Sequence, residues 1–326
     1  MRTDALYFNP AVRDALEGGR PVVALETTIV AHGMPYPVNL ETALAVEDIV
    51  RANGATPATI GVLDGKVVVG LTPQQIEFFA TGNDILKMVE RDIPLAVARQ
   101  RNAATTVGAS LAIAAAAGIR VFVTGGIGAV APNAGVTFDI SADLQAIARY
   151  PCLTVCAGTK AFMDVAATLE YLETHSVPVI VYQSEYFPLF YTRSSGHKME
   201  WTAQSVEEIA SAFAAQLALG IRRGMLVGNP IPAEDELPEE VTRSAVARAL
   251  EQAQRAGVSG KAVTPFVLSA IEKETAGRSL AANVALVKNN ARVGAQIAVA
   301  LAQLMNLTNP TSGSLPGSAS GIFGLS

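Results

Sequence analysis

The sequence predicts an α/β fold, a three-layer α/β/α arrangement around a central mixed, largely parallel sheet. Short β-branched runs alternate with alanine-rich segments of helical period along most of the chain. That repeated strand-to-helix order is how a sheet covered on both faces is built. The composition agrees: 326 residues, 50% of them hydrophobic and 16% charged, can bury a large core.

Taken in order, RPVVALETTIV reads as a strand entering a polar turn. Residues 39–52 carry a helical apolar face with Asn39 as its expected cap. ATIGVLDGKVVVG reads as two strands joined by a hairpin turn at Asp64-Gly65. Thr72-Pro73-Gln74-Gln75 combines a cap, a helix-starting proline and a glutamine at the third position. A long alanine-rich helix is expected over 100–117, followed by the buried strand VFVTG. FDISADLQAIARY then reads as turn into helix, CLTVC as strand, KAFMDVAATLEYLETH as helix and VPVIVYQS as strand. Beyond these, Ser205 and Glu208 suggest a capping box, GMLVGNPIP a strand and loop, and Thr264-Pro265 a helix start. Residues 281–304 form a last long helix with one largely apolar face. With no strong internal linker, 1–305 read as a single catalytic domain and 306–326, rich in Gly, Ser and Pro, as a flexible tail.

The formal net charge is −5 and no dense basic run occurs, which argues against a nucleic-acid polymer as partner. The N-terminus lacks the apolar core of a secretory signal, and the apolar stretch at 109–117 is too short to span a bilayer. A cytoplasmic protein with no membrane partner is expected, and its apolar composition implies a subunit interface. Cys152 and Cys156 share one strand face, too far apart for an easy disulfide, and read as buried thiols.

The residues that carry chemistry concentrate between Thr124 and Asp164. The TGGIG turn either presents backbone amides to an anion or packs closely at a strand end. Asp139 and Asp143, with Ser141 between them, offer oxygens to a hard divalent cation or cap a helix. Lys160, expected at a helix start, is either a nucleophile or a salt-bridge partner of Asp164. Glu26, at a strand end, is either a proton donor or a polar terminus. Lys87 could hold a phosphate or be a solvated charge. Asn289 and Asn290 interrupt the last apolar helix as pocket or capping amides. His32 and His175 read as structural, while His197 is a candidate beside the substrate.

Taken together, ALETTIVAHGMPYPVNLETA, RNAATTVGASL, VFVTGGIG, FDISADL, CAGTKAFMD, YTRSSG and ANVALVKNNARVG resemble the pseudouridine-5′-phosphate glycosidase family over most of 21–304. The resemblance implies reversible cleavage of a carbon–carbon glycosidic bond, giving uracil and ribose 5-phosphate. It assigns proton donation to Glu26 and covalent imine formation to Lys160. It assigns substrate contacts to Lys87, Val107, Thr124, Ser141, Ala142, Asp143 and Asn289, and one Mn2+ per subunit to Asp139. It also implies a homotrimer acting on a small ribosyl phosphate. One stretch departs: a histidine-arginine pair and an acid usual after TGGIG are replaced, with Ala131, Pro132 and Gly135 in their places. That change leaves two further readings, a lyase or glycosidase for another ribosyl phosphate conjugate and a weakened sugar-phosphate-binding paralogue.

Overall fold

The computed structural model describes residues 1–258 and 260–308. Its strands are β1 (Leu6–Phe8), β2 (Val22–Leu25), β3 (Thr56–Leu63), β4 (Lys66–Val69), β5 (Leu86–Met88), β6 (Ala103–Thr105), β7 (Val121–Val123), β8 (Leu153–Cys156), β9 (Val179–Tyr182), β10 (Thr202–Ala203) and β11 (Met225–Gly228). They join in one sheet of order β1-β4-β3-β2-β7-β8-β11-β9-β10, with β6 against β3 and β5 against β6. Only the pairings of β3 with β4 and with β6 are antiparallel. The expected mixed, largely parallel α/β/α fold is what forms.

Alternation along the central strands divides the core between the two faces. Ala24, Phe122, Cys152, Cys156 and Leu226 pack toward the helices Val107–Ala117 and Ala142–Arg149. Val23, Leu25, Val121, Val123, Leu153, Val155 and Val227 pack toward Val38–Ala52, Val206–Ala218 and Arg278–Thr308. The last of these helices reaches Thr308, so the expected tail cannot begin at 306; residues 309–326 lie outside those described.

Several local expectations hold for the reasons that suggested them. Asp64 and Gly65 both take positive φ (47° and 73°), the backbone of a tight turn joining β3 to β4. Thr72 and Gln75 complete both arms of their capping box. Two expectations fail. Asn39 lies inside the helix that starts at Val38; its buried amide ties that helix to the carbonyls of Val30 (2.7 Å) and Ala80 (2.9 Å). Residues 100–106 are not helical: Gln100 has φ 50°, Ala103–Thr105 pair as β6, and the helix begins at Val107 with Thr106 as cap. β-Branched Thr105 suits the strand that β3 and β5 offer, and Thr106 as N-cap marks where the alanine helix begins.

Candidate active site

Because β2, β7 and β8 run parallel, their carboxyl ends open on one edge of the sheet, where ligands of such folds bind, while β5, paired through the reversed β6, runs the opposite way. A cavity of about 770 Å3 lies there. Glu26 follows β2, Lys87 lies within β5, Thr124 follows β7 and Lys160 is four residues past β8, and all four line the cavity.

The Glu26 carboxylate accepts a hydrogen bond from the Thr124 hydroxyl. Burial raises its pKa from the ordinary 4.5 to about 7; Lys160, the Thr124 hydrogen bond and Lys87 oppose the rise, while Asp143 adds to it. The group is therefore poised to hold a proton near neutrality and to release it to a basic atom. Lys160 is not at a helix start. It sits in the loop after β8, where its amide donates to the Ile127 carbonyl, and the next helix begins at Val165 with Asp164 as its cap. The Asp164 carboxylate accepts from the Ala167 amide at 2.9 Å, and no salt bridge joins it to Lys160.

Asp143 ties this edge together. One carboxylate oxygen accepts from the Gly108 amide (3.0 Å) and the other from Gly128 (2.9 Å). It thereby fixes the starts of Val107–Ala117 and Ala142–Arg149, both of which line the cavity. Glycine at 128 permits the approach: a Cβ there would lie 2.2 Å from the Ser141 hydroxyl and 2.7 Å from Asp143. So the TGGIG turn serves close packing at Ile127 and Gly128, whose amides bond within the protein, while Gly125 and Gly126 line the cavity. Val107 and Ala142, with side chains of no polar capacity, are the first residues of their helices and line the cavity, while the next amides of each first turn bond within the protein, Gly108 to Asp143, Ala109 to Thr106 and Asp143 to Ser141. Ser141, between Ala142 and Asp139, caps its helix by accepting from the Asp143 amide.

Asp139 is exposed at the cavity rim, and its carboxylate has no hydrogen bond or ion pair among the described residues. With both oxygens of Asp143 bonded to amides, the two aspartates do not form a chelating pair. No group of three or more His, Cys, Asp or Glu able to hold a metal occurs among the described residues. This donor set fits a hydrated hard cation held by one carboxylate and completed by water and ligand oxygens.

The Asn289 assignment requires correction. Its amide donates to the Pro230 carbonyl (3.1 Å), accepts from Arg292 (2.8 Å) and lines a separate cavity. Asn283, six residues earlier, lines the Glu26 cavity instead; it is 5% exposed and its Oδ1 is buried without a hydrogen-bond partner. The available signal was the seven-residue spacing of Asn283 and Asn290 on the buried face of an apolar helix. His32, read as structural, also lines the cavity, from a single π-helical turn at Ile29–Gly33. Burial and the nearby Lys87 lower its pKa against an opposing backbone hydrogen bond with Ile85, a net shift that favours the neutral ring, and its Nε2 is buried without a partner. His197 does not line the cavity, and His175 stacks on Tyr171 at 4.1 Å. Ala131, Pro132 and Gly135 do not line it either; from their segment Ala129, Asp139 and Ile140 do. Burial pushes the thiols of Cys152 and Cys156 up to about 12, consistent with core packing.

Residues 11–300 match the family described as Indigoidine synthase A like protein. This chain belongs to that family. A pseudouridine-5′-phosphate glycosidase of Caldanaerobacter subterraneus subsp. tengcongensis is 53% identical over 293 residues, covering 90% of this chain and 95% of that relative. One from Alkaliphilus metalliredigens is 48% identical, covering 92% and 97%. Among solved structures, the prealnumycin C-glycosynthase AlnA in complex with ribulose 5-phosphate has a TM-score of 0.85 at 35% identity, covering 93% of this chain and 98% of that one. An indigoidine synthase A-like protein of Thermotoga maritima has a TM-score of 0.82, also at 35% identity, covering 91% and 97%. The family resemblance and the glycosidase enzyme class read from the sequence are borne out. Among the described residues no helix is long and apolar enough to cross a membrane.

Proposed function

We propose that this enzyme cleaves the carbon–carbon glycosidic bond of pseudouridine 5′-phosphate, giving uracil and ribose 5-phosphate, with Lys160 as nucleophile and Glu26 as acid. The observation that carries the reading is the shared cavity of a lysine and a carboxyl raised to about 7 by burial. The phosphate end is assigned to Lys87 and the Val107 amide that begins Val107–Ala117, where positive charge and a helix N-terminus coincide. The Ser141, Ala142 and Asp143 segment supplies a second helix start to the sugar. Asn283 replaces Asn289 as the amide offered to the base, because its unpartnered oxygen suits a ring N–H.

In this mechanism the Lys160 amine bonds to the anomeric carbon while the ring oxygen departs, and the proton shed by the attacking nitrogen passes to that oxygen. The nitrogen lone pair then forms a carbon–nitrogen double bond as the bond to uracil breaks. That bond's electron pair goes to the base carbon, which takes the Glu26 proton. Water adds to the iminium, releases ribose 5-phosphate and restores the amine. A hydrated Mn2+ on Asp139 would supply positive charge to sugar or phosphate oxygens. A cytoplasmic homotrimer belongs to the same reading; the exposed Val136 (86%) and Phe138 (82%) beside the cleft support a subunit contact.

AlnA, a C-glycosynthase bound to a pentulose phosphate, keeps a second reading in play, in which the sugar phosphate end is shared and the aglycone differs. Borohydride added during turnover tests the first reading. A ribosyl phosphate mass is expected on Lys160 together with free uracil, and Lys160→Ala should abolish the adduct. Turnover without an adduct, with near-normal activity in Lys160→Ala, would refute the imine. An adduct formed only with a different base would favour the second reading.

A further inference from the structure

We infer that Asn290, which touches no substrate in this reading, is a positioning residue that holds Thr124, and through it Glu26, in the geometry needed for proton transfer. The inference rests on the assignment of Glu26 as the acid and extends it to the helix behind the sheet.

Asn290 is fully buried (0% exposed) on the helix Arg278–Thr308. Its Nδ2 donates to the carbonyl of Thr124 at 2.8 Å and to that of Gly125 at 3.1 Å. Its Oδ1 accepts from Asn229 Nδ2 at 2.9 Å, and Asn229 itself is 3% exposed at the end of β11. The two carbonyls can only accept, so Nδ2 must face them, and the Asn229 donor to Oδ1 holds the amide in that orientation. The Gly125 carbonyl also receives the Ala157 amide, whereas no second donor reaches the Thr124 carbonyl among the described residues. Losing Asn290 would therefore leave Thr124 C=O as a buried acceptor without a partner, a strong drive to rotate that peptide.

Thr124 is the residue whose hydroxyl bonds Glu26, so a rotation of its backbone moves that hydroxyl away from the carboxyl. A short amide reaches the strand end only because the helix lies very close. One turn on, Gly294 faces β7 so tightly that a Cβ there would lie 2.2 Å from Val123 Cγ2. Asn283 stands two turns before Asn290 on the same face and lines the cavity, so one helix stripe serves both the base end and the acid. The other charged groups acting on Glu26 are Lys160, Lys87 and Asp143, and none of them bonds to Asn290.

The test compares full-length wild type, Asn290→Ala, Asn229→Ala, Glu26→Gln and the Asn290→Ala/Glu26→Gln double variant on pseudouridine 5′-phosphate. It measures kcat, KM, the pH profile, the thermal midpoint and binding of ribose 5-phosphate. Asn290→Ala should lower kcat roughly tenfold with KM nearly unchanged. The alkaline limb of the profile should move upward, because the carboxylate loses a hydrogen bond that favours its charged form. In the Glu26→Gln background the same substitution should have little further effect on kcat. A merely structural role would lower the thermal midpoint and leave the pH profile in place. Wild-type kcat and profile in Asn290→Ala, or an undiminished loss in the Glu26→Gln background, overturn the inference. Should Asn290→Ala fail to fold, Asn229→Ala, which frees only the amide's orientation, decides by the same readouts. The underlying assignment fails separately, through wild-type kcat in Glu26→Gln.

Discussion

The raised carboxyl at Glu26 makes stability and activity pull in opposite directions, and Glu26→Gln separates them. In the folded chain the group ionises near pH 7 instead of the ordinary 4.5. The folded state therefore holds its proton more tightly than the unfolded chain does. Stability contributed by this group is lost as pH rises from 4.5 through about 7, and the loss is complete above that. The difference between the two ends amounts to roughly 3 kcal/mol. Glutamine keeps the shape and an acceptor for the Thr124 hydroxyl but never ionises, so it escapes this loss. Urea unfolding followed by circular dichroism at about pH 5 and about pH 8 measures the contrast. Near pH 5 the variant should equal wild type or fall about 1 kcal/mol below it, through a weaker hydrogen bond. Near pH 8 it should be roughly 2 kcal/mol more stable than wild type, while kcat falls by about 10² to 10⁴. An identical stability difference at the two pH values would refute the claim that burial raises this group, and with it the physical case for Glu26 as acid.

Removal of divalent ions should abolish most turnover, with Mn2+ restoring it, and Asp139→Asn should weaken apparent metal affinity about tenfold or more. Full activity after exhaustive chelation would exclude the ion. Pseudouridine without its phosphate should lose roughly 100-fold in kcat/KM, the value of about two charge-assisted hydrogen bonds at Lys87 and the Val107 helix start; equal rates would exclude that anchor. Gly294→Ala should cost about 1–3 kcal/mol by forcing the C-terminal helix off Val123, and an unchanged unfolding midpoint would contradict the close approach.

What the sequence determined by itself is what neighbouring residues settle. Asp64-Gly65 specifies its turn through residues that accept positive φ, and Thr72 with Gln75 its helix start through bonds that span three residues. The order of apolar runs specifies the layered sheet, because parallel strands buried on both faces need long crossovers. The family motifs placed Glu26, Lys87, Val107, Thr124, Asp139, Ser141, Ala142, Asp143 and Lys160, and the fold brings all of them to one cavity. Tertiary structure decided what depends on direction. Asn283 and Asn289 differ by six residues, far enough around a helix of 3.6 residues per turn to face different cavities, and only the packing against β7 says which faces Glu26. From the sequence Asp143 is open to cation binding, helix capping or a substrate contact; in the fold two amides from distant segments take its oxygens. Residues 100–106 looked helical until β3 and β5 supplied hydrogen-bond partners for a strand. In each case the deciding partner is remote in sequence, and a side chain's chemistry does not say which remote group will meet it.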